Sequence, residues 1–195
     1  MNNDLTSSLR PALVMTGLFA VLLGIAYPLA MTGVAQAVFP HQANGSLVVD
    51  HGKAVGSELI GQGFASDRYF HPRPSAAGKG YDAMASGGSN FGPTSQPLVD
   101  RIKGDIANLH PVPGVSIPPD LVTASASGLD PDLSPEAALY QVRRVAAARR
   151  LPEARVEALV EGAIETPILP FLGDAHVNVL ALNRQLDRLG ATAGR

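Results

Sequence analysis

The 195-residue chain has no cysteine and no tryptophan, and only 5% of it is aromatic and 16% charged. The absence of cysteine excludes disulfides and thiolate metal sites, though it does not identify a compartment. With a formal net charge of −2 there is no basic excess with which to hold a nucleic acid. Charge is missing altogether from residue 11 to residue 40. Such a chain reads as a polar domain joined to something very apolar. The 20 glycines and 16 prolines are plentiful by contrast. Most of them lie between residues 40 and 135, which predicts a loop-rich middle.

The uncharged run "ALVMTGLFAVLLGIAYPLAMTGV" covers residues 12–34. About 20 apolar residues span a bilayer core as a helix. Gly17, Gly24 and Gly33 are small residues of the kind that let helices approach closely in lipid, and Pro28 is expected to kink the span. A cleaved signal peptide is the competing reading, because "AQA" at 35–37 has the small-x-small form of a cleavage site. Its apolar stretch is longer than the usual h-region of roughly 7–15 residues. Arg10 precedes the run, and no Lys or Arg follows it before Lys53. That bias places residues 1–11 in the cytoplasm as a short N-terminus and residues 41–195 outside.

Residues 46–61, "SLVVDHGKAVGSELIG", alternate like two strands around a tight turn at "DHGK", where Gly52 supplies positive φ. A helix is expected within 90–110, capped by Thr94 or Ser95, with Leu98, Ile102, Ile106 and Leu109 on one face. Residues 121–127 are a strand candidate. Ser134, Pro135 and Glu136 mark a helix start, followed by an apolar stripe of Leu139, Val142, Val145 and Ala146. The next helix, near 152–165, carries Glu153, Glu157, Glu161 and Glu165 on its outer face. The arginines at 143, 144, 149 and 150 are expected to balance them. Residues 176–189 begin as strand or helix and finish as helix. The fold expected is a single N-terminal transmembrane helix carrying a compact α+β domain.

The stretch "YFHPRPSAAGKGYDAMASGGSN" (69–90) has residue types used in catalysis but not the spacings. A nucleophile elbow needs Gly-x-Ser-x-Gly, yet Phe91 stands where the last glycine belongs. His41, His51, His71, His110 and His176 are single and scattered, with no helical pair to hold a metal. Ser86, Gly87, Gly88 and Ser89 faintly match the Ser-Gly-Gly core of the ABC-transporter signature, and glycine-rich backbone can present N–H groups to phosphate. The plainer reading is that Gly87 and Gly88 supply turn conformations. Tyr69, Phe70, Arg73, Tyr81 and Asn90 fit a surface shaped to dock a partner protein, stiffened by Pro72 and Pro74. Asp82, Asp130 and Asp132 belong to a mild acidic excess too small to support ion steering with force.

Taken in order, "YPLAMTG" (27–33), "QANGSLV" (42–48), "VGSELIGQ" (55–62), "YFHPRPSA" (69–76), "ASGGSNFGPT" (85–94), "LVTASASGLDPDLSP" (121–135), "QVRRVAAAR" (141–149) and "VNVLALNRQLD" (177–187) resemble the KdpC family. These are the C subunits of bacterial Kdp potassium-transporting P-type ATPases. "NRQLD" departs from the more apolar segment frequent in the family. The resemblance implies a retained anchor and a non-catalytic, single-pass inner-membrane subunit in contact with lipid. Its implied partners are the channel-like potassium-translocating subunit, the P-type ATP-hydrolysing subunit and a very small fourth subunit, with K⁺ handled by the complex. It implies no firmly bound cofactor, but it does imply a chaperone role toward ATP, with Gln141 at the position suggested to contact nucleotide. The topology bias sets Gln141 on the side away from cytoplasmic ATP, so only indirect coupling is open to an intact chain of that orientation.

Overall fold

A computed structural model of the chain describes residues 2–192 except 110, 112, 113, 170 and 172, so His110 lies outside the described residues. The chain divides into two units, Met1–Leu47 and Val48–Arg195.

The first unit is dominated by one long helix: α1 (Asn2–Val21), a π turn (Leu22–Ala26) and α2 (Tyr27–Val38). Within Ser7–Val38 the most apolar 18-residue stretch has a mean hydropathy of 2.1 and none of it is buried, so this helix is long and apolar enough to cross a membrane. The helix starts earlier than the apolar run, and Pro11 lies inside α1. Pro28 has no N–H, and its ring would press on the carbonyl of Gly24 in a regular α-turn. The chain answers with the wider turn, in which the Tyr27 N–H reaches back five residues to the Leu22 carbonyl. Gly17, Gly24 and Gly33 face open space within their unit. A four-residue helix α3 (Pro40–Ala43) follows, held to α2 by a reciprocal amide pair between Gln36 and Asn44 at 3.2 and 3.3 Å.

Among the described residues the second unit contains two small two-stranded sheets and four α-helices. Strands β1 (Leu47–Asp50) and β2 (Lys53–Ser57) form the expected hairpin. His51 and Gly52 both adopt positive φ, as a two-residue type I′ turn demands. Helix α4 (Gln96–Asn108) half-buries Leu98, Ile102 and Ile106, but the Ser95 hydroxyl caps nothing and is buried without a partner. The strand expected at 121–127 does not form. Pro118 and Pro119 remove donors there, Pro119–Leu121 is a 3₁₀ turn, and the following backbone serves loops instead. The Ser127 and Leu129 carbonyls accept from the Gly87 and Gly61 N–H groups, each at 2.8 Å.

Strand β3 (Asp132–Leu133) pairs antiparallel with β4 (Val177–Asn178). Helices α5 (Pro135–Arg149), α6 (Glu153–Gly162) and α7 (Val179–Thr192) pack beside this ribbon. The Ser134 hydroxyl caps α5 by accepting from the Ala137 N–H at 3.2 Å, with Pro135 in the first turn. The core gathers Phe70, Leu133, Val145, Val156, Val160, Val177, Leu182 and Leu186. Two expectations for these helices change. Val142, Val145 and Ala146 of the expected α5 stripe are buried, but Leu139 is exposed and Ala137, Ala138 and Gln141 complete the inward face instead. The glutamates of α6 are not paired with α5 arginines, because Arg144 and Arg149 turn to Asp67 and Asp187.

Candidate functional site

The segment Ser66–Ser75 forms a strap that opens with a turn, closed by the Tyr69 N–H on the Ser66 carbonyl at 3.0 Å, and runs on with no strand beside it, yet Phe70, Pro72 and Ala77 at or near it are buried. Buried peptide groups need hydrogen-bond partners. Two side-chain amides supply them. Asn183 on α7 accepts from the Phe70 N–H at 2.8 Å and donates to the Phe70 carbonyl at 3.0 Å. Gln141 on α5 does the same for the next residue, accepting from the His71 N–H at 2.8 Å and donating to its carbonyl at 3.0 Å. Each primary amide thus imitates the edge of a neighbouring strand. Gln141 also donates to the Ala137 carbonyl at 3.3 Å and accepts from Arg144 at 2.6 Å. Both donors and both acceptor sites of this amide are then in use inside the chain.

Arginines close the rest of the strap. Arg144 donates to the carbonyls of Asp67 and Tyr69 at 2.8 and 3.0 Å. Arg149 donates to the Arg68 carbonyl at 2.7 Å and to Asp187 at 2.7 Å. Its guanidinium sits 4.7 Å from the centre of the Tyr69 ring, whose hydroxyl donates to the same Asp187 at 3.2 Å. These contacts tie down Arg144 and Arg149, while Arg143 and Arg150 stay exposed. Burial and the Arg144 charge push the His71 pKa below the ordinary imidazole value, and burial lowers that of Arg144.

The stretch beyond the strap folds back on residues 123–130. Arg73 pairs with Asp130 at 2.8 Å, and the Tyr81 hydroxyl donates to the Arg73 carbonyl at 2.7 Å. Burial, helped by Asp105, pushes the Tyr81 pKa up to about 12. Ser75 donates to the Gly128 carbonyl and accepts from the Tyr81 N–H. Gly128 has a φ of 67°, and a Cβ there would lie 2.6 Å from the Ala77 nitrogen, so only glycine fits. Asp82 caps the short turn at Met84, and Asp132 accepts from Asn178 at 3.1 Å, so the three acids noted in the sequence are engaged locally.

The Ser-Gly-Gly segment is likewise occupied. The Ser86 hydroxyl and the Gly87 N–H both donate to the Ser127 carbonyl, at 3.0 and 2.8 Å. Gly87 and Gly88 do not adopt positive φ, contrary to the turn role expected. Gly88 instead permits close approach, since a Cβ would meet the Ala126 carbonyl oxygen at 3.0 Å. Ser89 is half-buried, and the exposed Asn90 takes positive φ at 52°. Of the residues expected to face a partner, Phe70 has 0% exposure and packs the core, Tyr69, Arg73 and Tyr81 are half-buried, and Asn90 is exposed.

Beside Gln141 lies a groove of about 570 Å³, lined by Leu109, Val115, Leu139, Tyr140, Arg143 and Arg144 among others. The Tyr140 hydroxyl is buried there without a partner. No group of three His, Cys, Asp or Glu side chains suited to a metal occurs among the described residues. Asn183 escaped notice in the sequence. Its signal was a polar residue in phase with Val179, Leu182 and Leu186, where an apolar one belongs.

A single long apolar helix followed by a small α+β domain is the architecture of a single-pass, membrane-anchored class of protein. Residues 9–188 match the family described as "KdpC: K+-transporting ATPase, c chain". The chain is 62% identical over 183 residues to the potassium-transporting ATPase KdpC subunit of Caulobacter vibrioides, covering 93% of each. It is 52% identical over 181 residues to the KdpC subunit of Acidobacterium capsulatum, covering 93% of this chain and 98% of that one. With the subunit of Bradyrhizobium diazoefficiens it shares 51% over 196 residues. The chain belongs to the KdpC family.

Proposed function

We propose that the chain is a non-catalytic assembly and regulatory subunit of an ATP-driven, high-affinity potassium-uptake complex. In this reading it stabilises and couples a channel-like potassium-translocating subunit, a P-type ATP-hydrolysing subunit and a small fourth subunit. The helix Ser7–Val38 would anchor it in the inner membrane, N-terminus cytoplasmic, with the α+β domain outside. The observation that carries the reading is the Gln141 amide. Every hydrogen-bonding position on it is occupied by this chain's own groups, so its role in the fold is to hold the strap. Deleting the subunit should abolish stable assembly or coupled transport. A transporter with full activity in its absence would refute the proposal.

The groove beside Gln141 favours a second reading, a chaperone that binds ATP or promotes its binding to the hydrolysing subunit. Its lining offers the exposed Arg143 and the apolar side chains of Leu109, Val115 and Leu139 to an anionic, aromatic ligand, with Asp67 also in the lining. A reporter fused after Arg195 that works on only one side of the membrane separates the two readings. A cytoplasmic signal favours direct nucleotide binding, and an external signal eliminates it for the intact complex.

A further inference from the structure

The loop between α6 and β4 inverts the usual order of loop chemistry. From Thr166 to Gly173 it contains no charged residue. Ile168 is 97% exposed, Phe171 78% and Leu169 43%. Its base is fixed, because Glu165 and His176 exchange both backbone hydrogen bonds, at 2.8 and 3.0 Å, beneath the loop. Pro167 restricts its rising limb. The described residues of this finger thus set Ile168, Leu169 and Phe171 out from a paired base, and large apolar side chains presented together on a fixed base mark a contact surface.

The surroundings select the occupant. Glu153, Glu157 and Glu161 are exposed along α6, Glu165 stands at the base of the finger, and Asp174 follows it. Arg155 is the one basic residue on α6, and no Lys or Arg follows it before Arg184. An anionic lipid surface would be repelled by this acidic approach. An apolar socket edged by Lys or Arg on another protein would be complementary to both tip and rim.

We propose that Ile168, Leu169 and Phe171 of this loop, with the acidic ridge of α6 beside them, form the docking surface through which this domain seats in a basic-edged apolar socket of another subunit. The inference rests on the accessory-subunit reading and names the surface that serves it. It moves the docking role away from residues 69–90, whose side chains are largely engaged within their own domain.

Because the chain lacks cysteine, Ile168→Cys installs its only thiol. Labelling by a membrane-impermeant maleimide, followed on the separated chain, is measured in bilayer discs with the chain alone and with the assembled complex. Rapid labelling alone, slowed about tenfold or more by assembly, is the expected result. Equal rates would overturn the proposal. Slow labelling in discs without partners would also overturn it, by showing that lipid covers the tip. The paired substitution Ile168→Asp with Phe171→Asp should lower retention of the other subunits about tenfold or more at unchanged melting temperature. Undiminished retention by that variant would count against the finger. If the unaltered chain fails to retain those subunits, the accessory-subunit reading falls, and this inference with it.

Discussion

Two loops of the same domain, the strap 66–75 and the finger 166–173, have opposite economies. The strap is rich in His, Arg, Ser and Tyr, the residues of reactive sites, yet its backbone is bound inward and only Ser66, Asp67 and Arg68 of it are exposed. Two amides and two arginines bind its backbone, and Phe70 fills the core. The finger has no charged residue and sends Ile168 and Phe171 into solvent. Polar composition is therefore a poor guide to which loop faces a partner. What matters is whether the side chains already have somewhere to go.

That contrast can be broken most severely at Phe70. Phe70→Ala removes a fully buried ring and should cost about 3–5 kcal/mol, measured by thermal or denaturant unfolding. If the loss is below about 1 kcal/mol, the strap is not part of the core. Asn183→Ala strands the N–H and carbonyl of Phe70 and should cost about 2–4 kcal/mol in the same assay. Gln141→Ala should behave similarly, so weakened nucleotide affinity in that variant would need a stability control before it could be read as lost contact. Gly128→Ala forces a side chain into the left-handed region against Ala77, with an expected cost of about 1–3 kcal/mol.

A subtler test concerns His71. Its folded-state pKa lies below the ordinary 6.5, chiefly through burial and then through Arg144. The folded strap therefore prefers the neutral ring. Its contribution is complete above about pH 6.5 and is lost as pH falls through the lower folded-state value. Melting temperatures measured from pH 7.5 to 5 should fall more for the unaltered chain than for His71→Gln. Equal slopes would remove His71 from the explanation. The smallest effect is expected at the finger: Ile168→Ser and Phe171→Ser should leave the chain's own stability within about 0.5 kcal/mol. A larger loss would mean that the finger, too, is packed inward, and the contrast would collapse.

Much of the architecture was legible because it is decided locally. The uncharged run announces the anchor helix. "DHGK" requires a hairpin turn, and Ser134 followed by Pro135 starts α5 for reasons contained in three residues. The ordered motifs point to the family, and the comparison with known proteins bears this out. The strap was not legible. Its partners stand 70 and 113 residues away, and a buried Gln on a helix has the same local sequence signature as an exposed one. The strand misplaced at 121–127 fails for a related reason: the Ser127 carbonyl at its end is used by Ser86 and Gly87, and that of Leu129 just beyond it by Gly61.

The Asn183 clamp has a consequence in time as well as in space. The residue it holds, Phe70, is made 113 residues earlier. At about 5–20 residues per second, synthesis leaves the strap without its partner for roughly 6–23 seconds. During that interval the Phe70 ring has no α7 to pack against, and the domain cannot reach its final form one element at a time. The last helix acts as the latch, so the maturation of this domain should be gated by the arrival of α7.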